Sequence, residues 1–226
     1  MGALLGRLEV PRTNVADQNP IKYDGDLGGQ EFNTPSHRYF GKQWVPVENQ
    51  WSDGSPSFMA PVSHFHLLQT ETFHIDSGSG LWYIKGKTIR LDAGDTIIIP
   101  RFVAHRFINL PGSKEPLVFS WRYDSQYWEM EERFFRNTLT YLDDCRKAAV
   151  APSILQLCVF LADCWMPGEF IPCRGGDYIN CAVNTLLTSL LAFIGRVLYG
   201  YKGSYPEYYD PAISRKRIAE GSKKCD

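Results

Sequence analysis

The residues best suited to chemistry lie between positions 64 and 109. His64-Phe65-His66 comes first. On a strand, residues i and i+2 face the same side, so both imidazoles can point into one interior. Glu71 follows after four intervening residues, a gap that can hold a turn and return a carboxylate from the next strand. His105 arrives on a later strand, after Gly94 and Pro100. Asp95 sits at a turn and is a poorer candidate. Three neutral nitrogens with one carboxylate suit divalent iron, manganese, nickel, copper or zinc, and are too rich in nitrogen for calcium or magnesium. The expected cofactor is one divalent metal ion held by His64, His66, Glu71 and His105, with Fe(II) favoured over Zn, Mn, Ni or Cu. Such a ligand set leaves open coordination positions for oxygen, a substrate enolate or water. Glu71 is also the expected catalytic base, should it leave the metal.

Strand parity sorts the neighbours. Phe73 and Ile75 share the face of Glu71, and Phe107 and Asn109 share that of His105. His74 points the other way and is not a ligand. His37 lies before the strands and is expected to be structural or exposed. In the segment 117–123, either Phe119, Trp121 and Tyr123 face inward or Ser120 and Arg122 do. The aromatics are preferred as lining, while an inward Arg122 could hold a substrate carboxylate. The expected substrate-binding residues are Phe73, Ile75, Phe107, Asn109, Trp121 and Arg122.

These side chains need a β scaffold. From about 57 to 123 the signals are β throughout: short alternating or β-branched runs broken by turn residues. Trp82–Lys85 and Thr88–Leu91 flank Gly86-Lys87, the simplest hairpin, and Thr96–Ile99 ends at Pro100. This spacing predicts a sandwich or barrel. After residue 124 the pattern turns helical. Phe135, Leu139 and Leu142 recur at i, i+4 and i+7. Residues 153–165 are a second apolar helix, stopped by Pro167-Gly168. Residues 178–199 are a third, with Leu187, Leu190, Leu191, Ile194 and Leu198 on one face, broadened by Leu186, Phe193 and Val197. That helix is expected to pack on the barrel or at a dimer interface. Its apolar stretch is shorter than a membrane span and carries Asn180, Asn184 and Thr188, so membrane association is not expected. The expected organisation is an irregular N-terminal arm (1–37), a barrel (38–124), a helical extension (125–200) and a polar tail (201–226).

Composition excludes some partners. A net charge of −1 over 226 residues gives no basic face for nucleic acid, and the short run Arg215-Lys216-Arg217 reads as a solvated tail. The aromatic share of 14% fits a well-filled barrel and equally a pocket for a flat, apolar small molecule. The segment Met1–Arg7 lacks a signal-peptide apolar run, and Gly6 stands where myristoylation wants Ser or Thr. The expected location is therefore intracellular, in the cytoplasm. The six cysteines (145, 158, 164, 173, 181 and 225) contain no C-x-x-C pair and are expected to be buried thiols. The apolar helices suggest a homodimer.

Two stretches of the sequence resemble the cupin superfamily. His64, His66, Glu71 and Gly78 match its first motif, and Gly94, Pro100, His105 and Asn109 match its second. One position departs: Phe102 stands where the family has a turn glycine, which bears on the loop and not on the ligands. The resemblance covers roughly residues 40–123. It implies a mainly β fold, a cupin (double-stranded β-helix, jelly-roll) barrel plus a helical extension, with the four ligands on the inner wall. More loosely, the barrel with an arm and apolar helices is similar to cupin proteins of fungal natural-product pathways. That implies a non-heme iron dioxygenase or oxidoreductase acting on an aromatic or polyketide-like molecule. A Lewis-acid isomerase, decarboxylase or cyclase is the alternative, and a non-catalytic small-molecule-binding protein the second alternative.

Overall fold

The computed structural model describes residues 9–222. Among the described residues, nine strands form two facing sheets. The larger takes β1 (Ile21–Tyr23), β2 (Gly28–Phe32), β3 (Gly41–Val45), β4 (Glu71–Ser77), β7 (Thr96–Ile99) and β9 (Leu117–Tyr123) in the order β1-β2-β3-β9-β4-β7. The smaller takes β5 (Ser79–Ile84), β6 (Lys87–Asp92) and β8 (His105–Asn109) in the order β6-β5-β8. All named strand pairs are antiparallel. Four helices follow: α1 (Trp128–Lys147), α2 (Ile154–Asp163), α3 (Asp177–Tyr199) and α4 (Pro211–Ser222). This is the expected mainly β jelly-roll with a helical extension.

Local chemistry explains most of the elements. In β9 the residues with odd numbers, Phe119, Trp121 and Tyr123, are buried at 4% exposure or less, which decides the register for the aromatics. The β5–β6 hairpin turns on Lys85-Gly86, one residue earlier than the expected pair. Both carry positive φ (51° and 72°), the conformation that matches strand twist in a two-residue turn. Inside the barrel Phe73, Trp82, Phe107 and Phe119 meet mostly edge to face, with Phe107 and Phe119 4.8 Å apart between centroids.

Several boundaries differ from expectation. The segment 1–37 is not an irregular arm throughout, because residues 21–32 supply β1 and β2 and extend the barrel sheet beyond 38–124. Lone short strands gain nothing from local periodicity; they form because β3 offers them a sheet edge. The arm is also tied to α1: Thr13 donates from N and Oγ1 to Asp144 (2.9 and 2.6 Å), and Arg136 donates to Val15 O and Gln18 O. The stretch 201–226 is not simply a polar tail, since it contains α4 and the buried Tyr205, Tyr208 and Tyr209. Cys145, Cys158, Cys164 and Cys181 are buried free thiols, while Cys173 is half-buried in a loop. Met1–Arg7 and Cys225 lie outside the described residues.

Helix α3 reverses the expected face. Cys181, Asn184, Thr188, Ala192 and Gly195 are its buried row, and it packs on α2. Small residues allow the close approach: a Cβ on Gly195 would stand 3.0 Å from Leu155 O. Asn184 offsets its burial by accepting from Phe170 N and Ile171 N (2.8 and 3.0 Å) and donating to Ile171 O (2.9 Å). Leu187, Leu191, Ile194 and Leu198 end up half-buried at the flanks, and Leu190 is exposed.

Candidate metal centre and its cavity

His64 and His66 lie in an extended segment outside the named strands. That segment is held from both sides. His64 and His105 exchange backbone hydrogen bonds (3.1 and 3.0 Å), and Phe65 N, Leu67 N and Glu169 N bond to Pro167 O, Trp165 O and Ser63 O. The chain after α2 thereby clamps the segment against β8. Glu71 opens β4 on the inner face, opposite Ile99 on one side and Tyr123 on the other. Phe102 keeps the turn that a glycine would ordinarily make. Its φ is 66°, at a cost of about 1 kcal/mol for a non-glycine residue, and its N–H donates to His66 O at 3.0 Å. Its ring lies 5.5 Å from that of Tyr178 on α3.

The four expected ligands come together. One donor atom from each of His64, His66, Glu71 and His105 lies within 4.8 Å of the others, and all four residues are buried. Glu71 Oε2 is 3.0 Å from His105 Nε2 and 3.2 Å from His66 Nε2. His64 Nδ1 and His105 Nδ1 each meet a backbone oxygen, Val62 O and Val103 O, at 3.0 Å. A protonated Nδ1 donating to a carbonyl leaves Nε2 as the free lone pair, the arrangement of a metal-binding imidazole. Nδ1 of the buried His66 ring has no polar partner, and its Nε2 meets only Glu71 Oε2, at 3.2 Å and outside hydrogen-bond geometry. An orphaned buried imidazole is costly on its own and is satisfied by a metal bond. The residues present therefore fit a divalent ion.

The electrostatics favour the metal-ready forms. Burial, followed by the neighbouring His105 and His66, pushes His64 well below the ordinary histidine range, so it stays neutral. Burial alone would raise Glu71, but His66 and His105 hold it below the usual carboxylate range, so it stays ionised. Tyr123, buried near both Glu71 and Glu131, is held well above the ordinary phenol range, chiefly by desolvation.

The cluster opens into a cavity of about 320 Å³. His64 and Glu71 sit on its wall with Phe73, Phe107, Phe119 and Trp121. The opposite wall is helical: Phe134, Phe135, Leu139 and Leu142 from α1 and Leu157 and Leu161 from α2. Thus Phe73, Phe107 and Trp121 line the cavity as expected. The other three expected contacts do not. Ile75 is buried in the barrel core and does not line the cavity. Asn109 clamps loops: its Nδ2 donates to Pro46 O and Glu115 O (both 3.1 Å), and its N–H donates to Asn49 Oδ1 (2.7 Å). Arg122 pairs with Thr72 on the outer face, because strand parity that turns Tyr123 inward must turn Arg122 outward. His74 is likewise outside, stacked on Tyr39 and bonded through Nδ1 to Thr96 Oγ1 at 2.9 Å. Sequence reasoning missed the helical wall. Its signal was the Phe135, Leu139, Leu142 stripe, which shows an apolar face and not what that face covers.

Glu131 on α1 is buried and is raised to about 7, chiefly by desolvation. It accepts from Gln69 Nε2 and from Tyr127 N (3.0 Å). In the native protein it keeps its proton up to about pH 7, whereas in the unfolded chain it loses it near 4.5. Its contribution to stability is full below pH 4.5 and is lost as pH rises through 7, by roughly 3 kcal/mol at most. Glu131→Gln keeps the acceptor oxygen and cannot ionise. Its melting temperature should exceed wild type by several degrees at pH 8 and by little at pH 5; an equal gain at both would refute the ionisation argument.

Comparisons with known proteins bear on the family. The cupin domain family profile matches residues 55–123. The protein named "Probable oxidoreductase virH" of Hypocrea virens is 35% identical over 189 residues, spanning 78% of this chain and 81% of that protein. "Oxidoreductase iacF" of Pestalotiopsis fici is 33% identical over 122 residues, 47% of this chain and 59% of its own. Among solved structures, KdgF from Halomonas sp. aligns over 50% of this chain and 95% of its own, at 15% identity and a TM-score of 0.35. On the match to the Hypocrea virens relative over 81% of its length and to the domain profile, the chain belongs to the cupin family.

Proposed function

We propose that this protein is a metal-dependent oxidoreductase, a non-heme iron dioxygenase acting on an aromatic or polyketide-like molecule in natural-product biosynthesis. The observation that carries the reading is the junction of the buried three-histidine, one-glutamate cluster with an almost wholly apolar cavity. Fungal relatives named as oxidoreductases support the reaction class. A bound ferrous ion would supply a centre that binds oxygen and a chelating substrate at open positions. His64, His66, Glu71 and His105 would hold that ion. Phe73, Phe107 and Trp121 would stack on the substrate and keep water out. Glu71 would take the proton from a substrate hydroxyl at Oε2.

Metal analysis of the protein as isolated, followed by oxygen consumption with catechol and polyketide candidates, tests the reading. The expected result is about one iron per chain and oxygen uptake on adding substrate. Bound zinc with anaerobic turnover would instead assign a Lewis-acid isomerase, decarboxylase or cyclase. Tight ligand binding with no product would assign a binding protein.

The working unit we propose is a homodimer joined through α3. Its exposed residues Ile179, Val183, Leu186, Leu190, Phe193 and Val197 are spaced alternately by four and three. That is a 3.5-residue repeat, the spacing of a seam between two helices.

A further inference from the structure

Gln43 lies on the inner face of β3, opposite Phe119, and lines the cavity. It is 5% exposed, and its side-chain amide has no hydrogen-bond partner among the described residues. The cavity lining is mostly apolar, with Met59, Phe119 and Trp121 on the barrel side and Phe135 and Leu139 on α1. A primary amide carries two donors and acceptor lone pairs, and burying it unsatisfied is unfavourable. Leucine would fill the same space without that cost. Thr138, on the α1 wall of the same cavity, carries a second buried hydroxyl without a partner. Along the paired strands, Gln43 aligns with Phe119 and Ile75, whereas Glu71 aligns with Tyr123. Four residues separate the two levels, roughly 13 Å at strand rise. The polar group on the barrel wall is thus well removed from the metal-ligand cluster.

We infer that Gln43 is a specificity-determining residue that reads a neutral hydroxyl or carbonyl group on the substrate, at the end remote from the metal ligands. The substrate class is then an uncharged, flat aromatic molecule with oxygen at both ends: one to meet the metal cluster and one to satisfy the Gln43 amide. A carboxylate or phosphate at the Gln43 end is disfavoured, because that part of the wall offers no cation. A site built to bond an oxygen rejects the analogue lacking it more strongly than a purely apolar pocket rejects an extra group. The inference rests on the cavity being the substrate site, as proposed above.

The test uses 2-naphthol and 2-methylnaphthalene, which differ in a hydroxyl against a methyl, with affinities measured by calorimetry on the full chain. Wild type should bind the naphthol about tenfold more tightly, a difference of about 1.4 kcal/mol. Gln43→Leu should abolish the preference while its melting temperature rises by a few degrees, because an unpaired buried amide is gone. Glu71→Gln should keep the preference. Preference retained in Gln43→Leu, or lost in Glu71→Gln alone, overturns the assignment and places the hydroxyl at the metal side. A fall in the melting temperature of Gln43→Leu also overturns it, because Gln43 would then be a structural residue. Failure of both probes to bind wild type overturns the reading of the cavity itself, and the assignment with it.

Discussion

His105→Ala is expected to strip the protein of its metal. Bound metal should fall from about one per chain to below a tenth, because affinity drops by on the order of 100-fold or more once a ligand, and not merely its supporting partner, is lost. The imidazole contributes Nε2 to the cluster, with Nδ1 turned to Val103 O at 3.0 Å. The backbone bonds between residues 64 and 105 do not involve the side chain, so the barrel should close as before. Elemental analysis of wild type and variant reads the loss directly. Thermal melting with and without a chelator provides the control. Wild type should lose several degrees on chelation, because a metal bound only by the native state stabilises it. The variant should show no chelator effect. A variant that keeps its metal would remove His105 from the ligand set. A wild type indifferent to chelation and free of metal would leave the orphaned His66 ring without its explanation.

Leu186→Glu with Leu190→Glu should convert a dimer into a monomer. The two leucines lie mid-seam, and Leu186 is 73% exposed, so the change places no charge inside the protomer. A standard interface takes about 800 Å² from each partner, and the exposed apolar side chains of the seam would form its centre. A groove of about 260 Å³ bounded by Trp165, Phe193 and Arg196 continues that surface and could accept side chains from a second copy. Four carboxylates facing one another across a two-fold seam would cost far more than the contacts they replace. Light scattering should give twice the 25.8 kDa chain mass for wild type and the single mass for the variant. A monomeric wild type at micromolar concentration would sink the dimer. α3, 23 residues long, contains an 18-residue stretch of mean hydropathy 1.7 and so is long and apolar enough to cross a membrane by length and composition. Flotation of a monomeric wild type with lipid vesicles, abolished in the variant, would assign the face to a bilayer.

The ligand cluster was legible in the sequence because it is local. His64 and His66 share a side by parity, and their spacing to His105 was plain, whereas the orientation of Glu71 depended on the turn before β4. The same period of two left β9 with two registers, and the fold chose the one that turns its aromatics inward. What parity could not reach was the surroundings of each inward face. Phe73 and Ile75 are equivalent by alternation, yet only Phe73 meets the cavity, while Gln43 and Phe119, level with Ile75 on neighbouring strands, reach it. Asn109 faces inward and is consumed by loop carbonyls contributed by residues 45, 46 and 115. Residues 21–32 became strands only because β3 offered an edge to pair with.

The cluster of three histidines and a glutamate was thus determined by the sequence itself: the identity of His64, His66, Glu71 and His105, their spacing, and the mainly β scaffold that carries them. Tertiary structure alone decided what that cluster faces. It laid α1 and α2 over the barrel mouth, turned α3 so that its small residues pack while Leu186 and Leu190 stay exposed, and left Gln43 unpaired in a mostly apolar wall. Local periodicity encodes which face of an element is apolar. Which partner that face meets is set by the packing of the whole chain, and no window of sequence contains it.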